Sequence, residues 1–170
     1  HRHLSPLPLH SILCGRWLEI RQYLRTLDPV IQIDDIHRAL AARIPNTACA
    51  PRNAVAAILQ DGITPRLLFI ERARVKGDPW SGDIAFPGGR LEPSDANLQA
   101  TAERETHEEI GLDLNQYHYL GRLDDLTTQT LGIDVAAFVY SVQDAADFQL
   151  SDEVADTFWQ PLTDLADPAR

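Results

Sequence analysis

Residues 88–112 read GGRLEPSDANLQATAERETHEEIGL, and this stretch constrains the fold more than any other. Glu105, Glu108 and Glu109 lie three and four residues apart. On an α-helix those spacings stack side chains on one face, a turn apart. Like charges stacked this way repel, so the helix gains from them only if a cation sits between. Hard divalent cations such as Mg²⁺ take oxygen ligands and usually keep several waters. Arg104, four residues before Glu108, is placed to hold that carboxylate. Pro87-Gly88-Gly89 ahead of the segment lets the backbone turn sharply, and Gly111 after it supplies a helix stop. The competing reading is a solvated acidic helix face. The Gly-Gly approach, the Arg-Glu pair and the Gly111 stop together weigh against it.

At 170 residues the chain is long enough for one ordinary domain with a single core. Its 44% apolar and 24% charged content is that of a globular protein. With 15 basic against 25 acidic residues the formal charge is −10. That balance argues against a general polyanion surface, so no nucleic-acid partner is expected. A phosphorylated small molecule remains compatible, because bound metal and a few local Arg residues offset the acidic background. Cys14 and Cys49 have no metal-ligand spacing and read as free thiols. No apolar run reaches membrane-spanning length and no signal-peptide layout opens the chain, so the expectation is cytoplasmic. The absence of Met points to a trimmed or processed N-terminus.

Taken in order, residues 1–9 read as a loose arm. Apolar residues recur at helical spacing over 11–27, with Trp17 on the core stripe. A second amphipathic helix is predicted over 34–44, capped by Asp34 or Asp35 and ended by Pro45. These helices form an N-terminal extension (1–48) that offers a surface for a homodimer contact. The α/β part (49–170) opens with apolar runs at 54–60 and 66–72 around an Asp61-Gly62 turn, which read as a hairpin. A polar loop over 73–82 follows, then a short strand at 83–86. The acidic helix is predicted over 98–110. Strands are predicted at 117–123, 133–142 and 154–162, with a closing helix from Thr163. Strands before and after one helix suit a mixed sheet sandwiched by helices, an α/β fold.

The acidic segment resembles the Nudix box, GX5EX7REUXEEXGU with U aliphatic. Gly89, Arg104, Glu105, Glu108, Glu109, Gly111 and Leu112 match it. Asp95 stands where the first Glu is expected, one extra residue lies between it and Arg104, and Thr106 occupies the aliphatic place. The preceding IAFPGG and the two changes around Asp95 resemble the coenzyme A diphosphatase branch of Nudix hydrolases. In the motif that precedes the box in that branch, the paired Leu, Arg72 and Gly82 match, while Gly77, Asp78 and Trp80 stand at the places of LRXH. The resemblance implies a Nudix-like α/β/α sandwich, a Mg²⁺ or Mn²⁺ cofactor, and hydrolysis of a nucleoside diphosphate linked to another moiety. It also implies that the Gly88 carbonyl joins the metal ligands and that Arg104 positions a Glu. Members of this family generally continue further, so a shortened C-terminus is expected.

Glu105 and Glu109 are the candidate direct metal ligands, with Glu108 a further ligand or an outer support. The general base is a box Glu or a carboxylate from a distant loop, of which Glu153 is the foremost. A surface acid beside Asp152 is the bland reading of Glu153. His107 lies on a different helix face from Glu105, and Asp95 is expected to orient a turn or cap the helix. Arg72, Arg74 and Lys76 are candidates for phosphate contact, and Trp80 and Phe86 for stacking on a base. Three functions follow: a metal-dependent hydrolase acting on coenzyme A or a derivative, a hydrolase of other nucleotides, and a non-catalytic nucleotide-sensing domain. The retained metal-ligand set argues against the last.

Overall fold

The computed structural model describes residues 32–47, 50–77, 80–128, 132–143 and 147–166. The predicted 11–27 helix with Trp17, both cysteines and Asp78 lie outside the described residues. Eight strands share one sheet, and β1 (Asn53–Gln60) is the strand around which it is arranged. The others are β2 (Arg66–Arg72), β3 (Ile84–Ala85), β4 (Gly88–Arg90), β5 (His118–Arg122), β6 (Leu126–Thr127), β7 (Asp134–Val142) and β8 (Val154–Pro161). Among the described residues three α-helices accompany them: α1 (Ile33–Ala41), α2 (Leu98–Ile110) and α3 (Leu162–Ala166).

One edge of β1 pairs with β7 in parallel along its whole length, from Asn53↔Val135 to Gln60↔Val142. Its other edge is shared. β2 takes the last residues, as the predicted hairpin, and β4 takes Asn53 to Val55. β8 pairs with β2 along its whole length, from Arg66↔Pro161 to Arg72↔Val154. Beyond the hairpin β2 parts from β1 and pairs with β3 at Ile70 and Glu71, so the sheet forks. The fork makes room for β4, and β4 carries the Gly-Gly pair to the base of α2. Both short strands, β4 and β6, were absent from the sequence expectation. Strands of two or three residues, one of them Gly-rich, carry no alternating pattern to read.

Alternation along β1 divides the core. Ala54, Ala56 and Ile58 pack with Ala102 and Ile110 of α2, and Ala57 and Leu59 pack with Ile33 and Leu40 of α1 and Leu162 and Leu165 of α3. A mixed sheet therefore lies between helices, the expected α/β/α sandwich. The helix α2 has the predicted bounds. The Asn97 side chain accepts the Ala100 N–H at 2.9 Å, and Gly111 ends the helix in the left-handed conformation at φ 73°. Thr106, at an aliphatic place of the box, is fully buried, and its hydroxyl donates to the Ala102 carbonyl at 2.7 Å. A polar residue is tolerated there because its one donor is satisfied within the helix.

Helix α1 corrects the predicted cap. Gln32 is the N-cap, and Asp35, three residues on, completes a capping box with it. The helix ends at Ala41, well before Pro45, because the following residues are drawn elsewhere. Arg43 pairs with Asp124 at 2.5 Å and the Asn46 N–H donates to the same carboxylate at 2.7 Å. Leu40 sits over Gly121, whose missing Cβ would lie 2.8 Å from the Leu40 Cβ. The second helix of the extension is thus part of the core. Leu40→Ala should lower the unfolding free energy by about 2 kcal/mol or more, measured by urea denaturation. A loss under about 0.5 kcal/mol would show that α1 contributes no packing.

Candidate active site

Two glycines of β4 lie beneath two carboxylates of α2. Gly88 has φ 153°, and a Cβ on it would lie 2.6 Å from the Val55 Cα. Only glycine fits there, with β1 passing so close. Antiparallel ladders alternate bonded and non-bonded pairs. Ala56 donates to the Pro87 carbonyl and Leu91 to the Arg52 carbonyl, which leaves Gly88 in a non-bonded pair. Its N–H turns off the β1 edge and donates to Glu109 Oε2 at 2.9 Å. A Cβ on Gly89 would collide with the carboxyl group of Glu105, 2.8 Å from its Oε2. The Gly-Gly pair is thus a seat for Glu105 and Glu109.

Arg104 braces the exposed side. Its Nε and Nη2 grip Asp95 at 2.9 and 3.0 Å, Nη1 reaches Glu108 at 2.8 Å, and Nη2 also touches Glu105 at 3.0 Å and the Arg90 carbonyl at 3.2 Å. The Asp95 side chain is largely covered, and its carboxylate also accepts the Glu92 N–H and the Thr101 hydroxyl, each at 2.9 Å. Its carboxyl is held well below the usual range, chiefly by Arg104 and then by the Glu92 N–H. Asp95 shapes its turn, as expected, but the helix cap is Asn97. The bidentate grip on Arg104, across the extra residue, had no signal in the spacing. Glu108, with a side chain 56% exposed, is turned outward to Arg104.

Burial dominates the electrostatics of the pair. It pushes Glu105 up, against the pull of Arg104. It pushes Glu109, only 4% exposed, up to about 7. The charge of Glu105 raises Glu109 further, while the Gly88 N–H and Arg72 oppose the rise. Glu153 adds its negative charge to both carboxyls. Residues 149–153 reach the site by strapping the end of α2. Gln149 donates to the Ile110 carbonyl and Ser151 to the Glu109 carbonyl, each at 2.9 Å. The Glu153 carbonyl then accepts the Ala73 N–H at 2.8 Å, just past Arg72. Glu105, Glu109, Glu153 and Arg72 therefore share one locale, drawn from α2, the approach to β8, and β2.

The other candidates stand further out. Arg74 and Lys76 are exposed, and the Arg74 guanidinium lies across Gly82. Trp80 is 43% exposed on the same loop. Phe86 stacks on Phe69 at 5.0 Å, and Phe69 in turn stacks on Phe158 at 5.6 Å. That half-buried ring belongs to an aromatic row packed on the core facing α1 and α3, the packing alternative to a base platform. His107 is exposed, and its carbonyl accepts the Gly111 N–H.

Among the described residues no group of three or more Asp, Glu, His or Cys side chains is gathered so as to hold a metal ion by itself. The open arrangement still fits a hard divalent cation. Two carboxylates crowded together and pushed up by burial are relieved by a cation, and Mg²⁺ keeps open positions for waters and substrate oxygens. Sulfur and imidazole donors, which would favour a softer metal, are absent from the described site.

A family model described as NUDIX domain matches residues 50–170. The Schizosaccharomyces pombe protein named "Probable nudix hydrolase C6G9.05" is 39% identical over 89 residues, which are 52% of this chain and 31% of that one. The Nudix hydrolase NudL of Yersinia enterocolitica is 39% identical over 83 residues, 48% of this chain and 42% of that one. The chain thus matches well under half the length of these relatives. Among solved structures, the Ap4A hydrolase of C. elegans in a binary complex has a TM-score of 0.55 at 22% identity, covering 69% of this chain and 87% of its own. A NUDIX hydrolase from Alicyclobacillus acidocaldarius has 0.54 at 20% identity, covering 72% and 82%. These likenesses show the fold. No helix among the described residues is long and apolar enough to cross a membrane.

With its carboxyl raised from 4.5 to about 7, Glu109 favours the fold in its neutral form. That contribution is present below about pH 4.5 and is lost as the pH rises through 7. In metal-free protein, Glu109→Gln should therefore melt above wild type at pH 8, by roughly 1–3 kcal/mol, and close to it at pH 4.5. Equal stability at both pH values would show that burying this carboxyl costs nothing.

Proposed function

The chain belongs to the Nudix family, and on that premise we propose that it is a metal-dependent hydrolase cleaving the diphosphate link of a nucleoside diphosphate joined to another moiety. The observation that carries this reading is the seating of Glu105 and Glu109 on Gly89 and Gly88. Glu105, Glu109 and the Gly88 carbonyl would hold Mg²⁺ or Mn²⁺. Such a cation neutralises adjacent phosphate charges and acidifies a bound water.

The chain's own residues supply the rest. Arg104 keeps Glu108 turned out and Glu105 turned toward β4. Hydrolysis joins a water oxygen to one phosphorus and breaks the bond from that phosphorus to the bridging oxygen. The proton released by the water goes to a carboxylate, and Glu153, within reach of the charges of both α2 carboxyls, is the acceptor we favour. To Arg72, whose charge is felt by Glu109, we assign a contact with a phosphate oxygen. To Arg74, Lys76 and Trp80, exposed on the loop after β2, we assign the approach of the substrate.

Coenzyme A or a derivative is the substrate we favour, on the strength of IAFPGG, Asp95 and the extra residue before Arg104. Modified nucleoside triphosphates, dinucleoside polyphosphates and nucleotide sugars are the second class, and a cytoplasmic setting suits both. A non-catalytic nucleotide-binding role is disfavoured by the complete Arg104, Glu105, Glu108 and Glu109 set.

Two measurements test this. Incubation with diphosphate compounds and Mg²⁺ should release 3′,5′-ADP and phosphopantetheine from coenzyme A. Monophosphates from other nucleotides would support the second class instead, and no turnover at all would leave only the binding role. Glu105→Gln and Glu109→Gln should each cut kcat by about two orders of magnitude or more with the fold intact by circular dichroism. Near-normal turnover in the double variant would remove the metal-site reading.

A further inference from the structure

On the flank of α2 away from β4, a second carboxylate is gripped. Tyr140 of β7 is 1% exposed, and its hydroxyl donates to Glu103 Oε1 at 2.7 Å. Gln99, one turn before Glu103, donates from Nε2 to that same oxygen and to the Tyr140 hydroxyl, each at 3.0 Å. Tyr119 of β5 packs on the Tyr140 ring at 5.3 Å. A buried tyrosine hydroxyl needs a partner, yet one acceptor would suffice. Here two residues of α2 close a three-membered ring of hydrogen bonds with a single residue of the central sheet.

The placement of this ring is informative. Glu103 and Glu109 are six residues apart, which at 3.6 residues per turn puts them about 120° apart around the helix. The sheet face between them carries Ala54, Ala56 and Ala136 against Ala102 and Thr106. Such small side chains allow α2 to approach closely and resist rolling little over that stretch, the larger Ile110 lying at the last residue of the helix. On the β4 flank, roll is resisted by the bond from the Gly88 N–H to Glu109, and that carboxylate is the one a cation would recruit. The Tyr140 flank keeps its bonds whatever Glu109 does.

We propose that Glu103, held by Tyr140 and Gln99, is a positioning residue that fixes the roll of α2, so that Glu105 and Glu109 stay seated over β4 when a cation takes them up. This rests on the hydrolase reading above. Glu103 touches neither substrate nor metal in this account. It acts through the helix.

The test uses Glu103→Leu, which removes the acceptor, Glu103→Gln, which keeps one, and Tyr140→Phe, which removes the donor. For each, Mn²⁺ affinity is measured by electron paramagnetic resonance, the melting midpoint by circular dichroism, and turnover of a diphosphate with Mg²⁺. Glu103→Leu should weaken Mn²⁺ binding about fivefold or more and cut kcat about tenfold with KM little changed, at a temperature where it is folded. Glu103→Gln should stay within about twofold of wild type on both. A Glu103→Leu protein with Mn²⁺ affinity and kcat within about twofold of wild type, whatever its melting midpoint, overturns the proposal, as does Glu103→Gln impaired equally. If Glu103→Leu does not fold, Tyr140→Phe decides: weaker Mn²⁺ binding supports the clamp, and unchanged binding overturns it. Wild-type protein that binds Mn²⁺ but hydrolyses nothing sinks the hydrolase reading and leaves the Mn²⁺ affinities to judge the clamp. Absence of Mn²⁺ binding overturns both.

Discussion

A carboxylate buried against a backbone N–H is the contact on which this molecule turns. Glu109 is 4% exposed and bonded to Gly88, close to the negative charges of Glu105 and Glu153. Burying charge without a partner is costly, and the chain answers only in part. Arg72 lies close enough to oppose the rise, and Arg104 is spent on Asp95, Glu108 and Glu105. Without a cation the two carboxyls would crowd one another, and a divalent cation would relieve that repulsion. On the proposed reading, stability and function would pull in opposite directions here.

Everything nearby is shaped to permit that contact. β1 forks its partners so that β4 can lie beside it, and β4 can do so only because Gly88 has no side chain to strike Val55. Small residues at 54, 56, 102 and 136 then let α2 settle low on the sheet. A larger residue at any of them would lift the helix and with it both carboxylates. The bond from the Gly88 N–H to Glu109 would be the first lost, since a hydrogen bond fails within fractions of an ångström.

What could be read from the sequence follows from length and local chemistry. The bounds of α2 were legible because its acidic spacing and its glycine stop are local, although its cap, Asn97, was read as loop. β1, β2, β7 and β8 were legible as apolar runs between turn residues. β4 and β6 were not, since two or three residues carry no period. The cap of α1 was misread because Asp35 works from the N3 position, leaving Gln32, a weaker cap by type, at the boundary. For Phe86 the sequence left base stacking and core packing both open, and only the tertiary structure shows its ring in a row with Phe69 and Phe158. The proximity of Glu153 to α2 depends on backbone bonds from Gln149 and Ser151 to the end of that helix. Those are long-range pairings that no spacing encodes.

The acidic surface bears on how a substrate would arrive. A chain of formal charge −10 repels a bare diphosphate at long range, and the carboxylates of α2 add to that repulsion at close range. A diphosphate already complexed with Mg²⁺ carries less negative charge and would bring with it the cation that the proposed reading assigns to Glu105 and Glu109. Arg72, Arg74 and Lys76 follow one another at alternate positions where β2 gives way to its loop, and on that reading they would offer a local positive path into an otherwise negative field. Repulsion of this kind is screened beyond about 10 Å at 0.1 M salt, so it acts mainly on the final approach. On the proposed hydrolase reading it would disfavour uncomplexed polyanions there and favour metal-bound ones, so that ion and phosphate would arrive together.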